Sequence, residues 1–219
     1  MSDHLYEQLL ATTTGLLLLT AVLQVWGRSV TRAIRLLAIQ GLALAGLVLV
    51  VGLHGGERQA PPVALLVLLV KAVAMPWAMA RSARLIDQTK EAGSLANPAV
   101  ELIGAAGLTL LAYAISGPLL GGQADPAAQA APVGFSLVLL GFWQLLIRRS
   151  ALTQLVAFLL IDNGIATIAF LTSGGLPLTI ELGVSLDVLL VVLILGVLVV
   201  RMHEEQGHID ITELRELRD

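Results

Sequence analysis

Apolar positions gather into seven stretches along the chain, at about residues 5–26, 33–53, 62–81, 98–119, 133–147, 151–173 and 178–200. Most approach the length of about 20 residues that a helix needs to cross a hydrocarbon core of about 30 Å. The fifth is short, which predicts a helix that extends beyond its apolar run or tilts. The pattern therefore predicts an all-α, polytopic integral membrane protein with seven transmembrane helices.

Ionisable residues interrupt the third, sixth and seventh stretches. The sixth reads Leu159-Leu160-Ile161-Asp162-Asn163-Gly164, and the seventh carries Glu181 and Asp187. The third holds Lys71, in Val70-Lys71-Ala72-Val73-Ala74-Met75-Pro76-Trp77. A carboxylate at the centre of a membrane helix costs about 2.5–3.5 kcal/mol on insertion scales, so such groups face protein or water rather than lipid. Counted from Arg149 and Arg201 at about 1.5 Å per residue, Asp162 and Asp187 each lie roughly 20 Å from one surface. Lys71, counted from Arg81, lies about 15 Å deep, beyond comfortable snorkelling. Burial disfavours a charged lysine and a nearby carboxylate favours it again, so a Lys–Asp contact here is a static ion pair or a proton relay. Pro76 donates no backbone hydrogen bond, which leaves the carbonyl of Ala72 free in a regular helix and favours a kinked, hydrated pocket. Gly164 lets a neighbouring helix approach closely. Glu181 and Asp187 point about 120° apart on one helix, Glu181 near its start and Asp187 at mid-depth. Glu181 suits an entrance or exit, or simply complements the helix dipole; Asp187 suits a central station.

Loop charge sets the orientation. Apart from Arg58 and Lys71, all of the 13 Lys and Arg fall after the first, third, fifth and seventh stretches. The positive-inside rule then gives an N-terminus outside and a C-terminus inside. Residues 121–132, rich in Gly, Ala and Pro, read as a loose connector. Glu101, in the first turn of the fourth helix, reads as structural, complementing the dipole and reaching headgroups. The start, Met1 to Glu7, lacks the basic region of a cleaved signal peptide, so the first helix is expected to remain. In the tail, Asp210 is a candidate cap for a short helix with Ile211, Leu214 and Leu217 on one face. His203 and His208 lack metal-ligand spacing.

Composition narrows the chemistry. At 57% hydrophobic and 13% charged, the chain leaves little for a water-soluble catalytic domain. With no cysteine, thiolate-held zinc and cysteine-ligated iron–sulfur clusters are excluded from this chain. Its basic residues punctuate helix ends instead of forming a patch, which argues against nucleic acid as a partner. No internal repeat supports an inverted-repeat transporter.

These residues resemble a known family. Lys71 to Pro76 with Arg81 and Arg84, Arg149 with Asp162-Asn163-Gly164, Glu181-Leu182-Gly183 with Asp187, and Gly207–Asp210 are similar to component E of hydrogenase-4-type formate hydrogenlyases. The likeness extends over most of the chain and is specific in those segments. The family usually has Glu-Asn-Gly where this chain has Asp162-Asn163-Gly164, one methylene shorter with acidity kept. Residues 148–219 also resemble subunit K of respiratory complex I, with the acids displaced by about one helical turn. The resemblance implies a membrane subunit without an active site of its own, in the inner membrane. It implies membrane-base and antiporter-like neighbours, lipid, and a cytoplasmic hydrogenase arm. It implies proton-pathway roles for Lys71, Asp162, Glu181 and Asp187, with the nickel–iron centre and iron–sulfur clusters held by partner subunits. It divides the chain into a five-helix region (1–147), a subunit K-like pair (148–201) and a cytoplasmic tail (202–219). Two rivals stay open: a subunit of a multi-subunit cation/proton antiporter, and a purely structural bridge.

Overall fold

The structure, a computed structural model, describes residues 2–27, 29–85, 97–119 and 125–173. Among the described residues it is helical, and six helices are long and apolar enough to cross a membrane. The seventh stretch, with Glu181 and Asp187, lies outside the described residues, as does the tail with His203, His208 and Asp210.

Helix α1 spans Asp3–Trp26 and α2 spans Val30–His54, joined by a short turn in which the Gly27 amide donates to the Leu23 carbonyl. At the far end the rings of Tyr6 and His54 stack, 3.8 Å apart and 8° from parallel, tying the start of α1 to the end of α2. The third span is composite: α3 (Ala60–Val67), a π-helical segment (Leu68–Ala74) and α4 (Met75–Leu85). After α5 (Pro98–Leu119) comes a short α6 (Pro126–Gln129), then α7 (Pro132–Ile147) and α8 (Ala151–Ser173).

The fifth span corrects, over 125–132, the reading of 121–132 as a loose connector; residues 121–124 lie outside the described residues. Asp125 accepts a hydrogen bond from the Ala127 amide at 3.1 Å and caps α6, as a short polar side chain does at a helix start. Ala127, Ala128 and Ala131 are buried. The span thus runs over Pro126–Ile147, which supplies the length that the apolar run alone lacks.

The α7–α8 hairpin is packed backbone to backbone. A Cβ on Gly164 would stand 2.8 Å from the Val138 amide nitrogen, and one on Gly134 would stand 3.0 Å from the Gly164 carbonyl. Small residues permit such approach in membranes, where dispersion and not water exclusion holds helices together. Helix α8 is the most enclosed of the six spans and α5 the least.

The apolar interior falls into two clusters. One contains Leu44, Leu47, Val67, Leu160 and Ala166; the other contains Leu37, Met75 and Leu159. On each of α2, the π segment and α8, the chain crosses from one cluster to the other over a few residues. The residues at the crossing are polar.

Candidate functional site: a polar layer at mid-bundle

Lys71 sits between buried Val67 and Met75, on the inward stripe of its span. The opposite stripe, Leu65, Leu69, Val73 and Trp77, is exposed. Steps of four residues put all these positions on their faces, so the lysine is aimed inward by the same periodicity that aims its apolar neighbours. Its ammonium nitrogen lies 2.8 Å from Asp162 Oδ2, with both side chains buried. At about 1.5 Å per residue, Asp162 stands roughly 16 Å along α8 from its start at Ala151. The expected buried Lys–Asp contact therefore exists, and its acid is Asp162. Any relation to Asp187 or Glu181 lies outside the described residues.

The π segment adds an element that the residue pattern does not announce. The Met75 amide donates to the Val70 carbonyl, five residues back, in place of the usual four. The wider turn ends just before Pro76 and presents the Lys71 carbonyl to a neighbouring helix. That carbonyl faces Gly41 of α2, where an added Cβ would stand 2.5 Å from the Lys71 carbonyl carbon and 2.6 Å from its oxygen. Only glycine fits there, and the close approach brings Gln40 of α2 to the same level. The Asn163 side-chain amide donates to Gln40 Oε1 at 3.2 Å, while Gln40 Nε2 is buried with no partner among the described residues. Asn163 is fixed on the other side by its carbonyl, which accepts from the Thr167 hydroxyl at 2.7 Å. Gln40, Gly41, Lys71, Asp162 and Asn163 together form a layer across three helices, dividing the two apolar clusters.

A second buried pair lies toward one end. Arg148, just past α7, has its Nη2 3.5 Å from Glu101 Oε2, and the two side chains are 2% and 1% exposed. The same Nη2 donates to the Val25 carbonyl near the end of α1. Gln154 donates to the Arg148 carbonyl at 3.0 Å. This corrects two readings at once. Glu101 does not reach headgroups, and Arg148, counted among the loop charges, is buried. The arginine was legible only as one of a pair of adjacent basic residues, and which of the two turns inward depends on the α7–α8 turn.

Chemically, the mid-bundle layer offers a cation, a carboxylate and two amides in an apolar surround, a set that can hold or pass a proton. Among the described residues no group of three or more His, Asp or Glu gathers as a metal site.

Over 221 residues, the whole of both chains, the sequence is 41% identical to the uncharacterized protein Rv0085 of Mycobacterium tuberculosis. The chain belongs to the Rv0085 family. Beyond that family it is 24% identical over 204 residues to hydrogenase-4 component E of Escherichia coli and of Shigella flexneri, covering 93% of this chain and 94% of theirs. That distant similarity spans the helices that build the polar layer. No family model and no solved structure matches the chain.

Proposed function

We propose that this member of the Rv0085 family is a membrane subunit of a hydrogenase-like complex, and that its polar layer handles protons. The observation that carries the reading is the enclosed Lys71–Asp162 pair in a chain similar along nearly its full length to hydrogenase-4 component E. A buried ion pair is weak support for stability alone, because its desolvation offsets much of its attraction. Within a membrane, ionisable residues in the bundle interior mark ion or proton pathways by default. The amides of Gln40 and Asn163 supply the hydrogen bonds that such a pathway needs beside its charges.

In this reading the N-terminus is outside and the C-terminus inside the cell membrane. The chain joins a redox-bearing membrane base to antiporter-like subunits. Asp187 is a further station in the seventh helix and Glu181 lies nearer the outside. Electron chemistry belongs to partner subunits that hold the nickel–iron centre and iron–sulfur clusters; this chain binds, orients and charges the proton path. Residues 1–147 form the scaffold, 148–201 the subunit K-like pair, and 202–219 the cytoplasmic contact.

Two measurements test it. Purification in mild detergent with mass-spectrometric identification of bound subunits should recover a hydrogenase large subunit. Recovery of antiporter-type subunits alone would assign the chain to a cation/proton antiporter instead. Proton translocation in vesicles should then be lost in Lys71→Gln/Asp162→Asn, which neutralises both partners without leaving one charge buried. Wild-type translocation per assembled complex in that variant would make the pair a static brace.

A further inference from the structure

Helices α1 and α5 are tied together at one end of the bundle. The tie is Arg148, whose guanidinium meets both Glu101 in the first turn of α5 and the Val25 carbonyl near the end of α1. This is the arginine-rich end, where Arg32, Arg35, Arg81, Arg84 and Arg149 are exposed. Toward the other end a groove of about 530 Å³ lies between the two helices, with α6 and the first turn of α7 forming its third side. Small residues make this room. Ala11 and Ala130 line the groove, and a Cβ added to Gly15, one turn below Ala11, would touch nothing within 4 Å.

The groove is not lined as a lipid face is. Glu7 and Thr14 of α1, Tyr113 of α5 and Gln129 of α6 bring polar groups to it. Exposed positions of the same two long helices outside the groove are apolar: Leu9, Leu19 and Leu23 on α1, Ile103, Leu110 and Leu111 on α5. An acyl chain or an apolar partner helix matches that second surface. In the groove it would press hydrocarbon against the Glu7 carboxylate, which water solvates and hydrocarbon does not. At about 30 Å³ per molecule the groove has room for on the order of 15 waters, and polar side chains within membrane spans commonly face such water-filled cavities.

Its depth carries it toward the polar layer. The floor includes Thr14, which is buried and stands roughly 16 Å along α1 from Asp3. The adjacent Thr13 methyl packs at Gly46 of α2, where an added Cβ would meet it at 3.4 Å. From Gly46, Gln40 of the layer is six residues further along α2, about 9 Å. The mouth is acidic. Glu7 shares this end of the bundle with exposed Asp3, Glu57 and Asp125, beside Arg58, His4 and His54, and a cleft mouth of negative charge concentrates cations, protons included.

We propose that this groove is a water-filled inlet that leads protons from the outer face toward the polar layer, with Glu7 at its mouth. Its filling with water stands on the lining alone; its use as an inlet rests on the proton-handling reading above.

The probe is a cationic, membrane-impermeant methanethiosulfonate, which reacts with ionised thiols in water. It is applied to native membranes carrying the assembled complex and open on both faces, so orientation does not enter. Modification is read from the mass of this chain, which has no cysteine of its own. Ala11→Cys should react at least tenfold faster than Leu9→Cys, which is nearer the start of α1 but outside the groove. Equal rates would mean that an acyl chain or a partner helix fills the groove, or that its lining confers no special access to water, and either overturns the proposal. Glu7→Gln should lower several-fold the preference of Ala11→Cys for the cationic over an anionic reagent. An unchanged preference removes Glu7 from the mouth. Translocation per assembled complex should fall threefold or more once Ala11→Cys is modified, and should hold in Leu9→Cys treated in the same way. Wild-type translocation in modified Ala11→Cys beside a loss in Lys71→Gln/Asp162→Asn overturns the inlet alone. Wild-type translocation in Lys71→Gln/Asp162→Asn overturns the polar-layer reading and leaves the water in the groove to the rates.

Discussion

Removing one member of the Lys71–Asp162 pair leaves the other charged and enclosed, which costs about 3–5 kcal/mol in a buried site. Asp162→Leu alone should therefore lower the thermal midpoint in detergent far more than Lys71→Met/Asp162→Leu does. Equal losses in the single and double variants would show that the pair is not coupled. At Gly41, an added Cβ meets the backbone of Lys71, which has no rotamer with which to yield. Gly41→Ala should cost about 1–3 kcal/mol, as overpacking does, while Gly107→Ala, facing open space, should be neutral or stabilising by about 0.5–1 kcal/mol. Thermal unfolding of both checks this, and equal effects would refute the close α2 approach. At this scale the sequence was partly legible. A lysine and an aspartate in apolar runs announce burial, because lipid offers them nothing. Gln40 and Arg148 did not stand out, since a lone glutamine in a helix and a loop arginine have many ordinary uses.

Among the elements, spans could be read from apolar length, and five of the six match the apolar stretches within a few residues. The fifth span needed α6, whose capped turn depends on Asp125 and Pro126 meeting buried alanines, a tertiary circumstance. The π segment was hidden for a different reason. Proline alone predicts a broken hydrogen bond and leaves open whether the helix kinks or widens. Packing against Gly41 accompanies the wider turn here. The α7–α8 hairpin yields a prediction of its own. Gly164→Ala drives a Cβ into the Val138 amide nitrogen at 2.8 Å and the Gly134 carbonyl at 2.9 Å, so the helices must part. The Lys71–Asp162 contact should loosen with them. Disulfide trapping in Gln40→Cys/Asn163→Cys, in a chain with no other cysteine, should be efficient in the parent and reduced several-fold when Gly164→Ala is added. Unchanged trapping would mean that the hairpin does not set the depth of α8.

For the whole molecule, the absence of cysteine also permits a direct test of orientation. Gln129→Cys should react with an impermeant maleimide added outside intact cells, and Gln206→Cys only after permeabilisation. The reverse would invert the side assigned to Glu181 and to the arginine-rich end. Lys71 finds its acid within the same chain. Pairing across 91 residues also fixes an order of events during synthesis. Lys71 enters the bilayer first and its acid is not yet made. At about 5–20 residues per second of translation, the lysine waits roughly 5–20 s before Asp162 can follow it in. Until then the nascent chain holds an ammonium whose acid is not yet made, a state that lipid disfavours and that shelter from lipid during insertion would relieve.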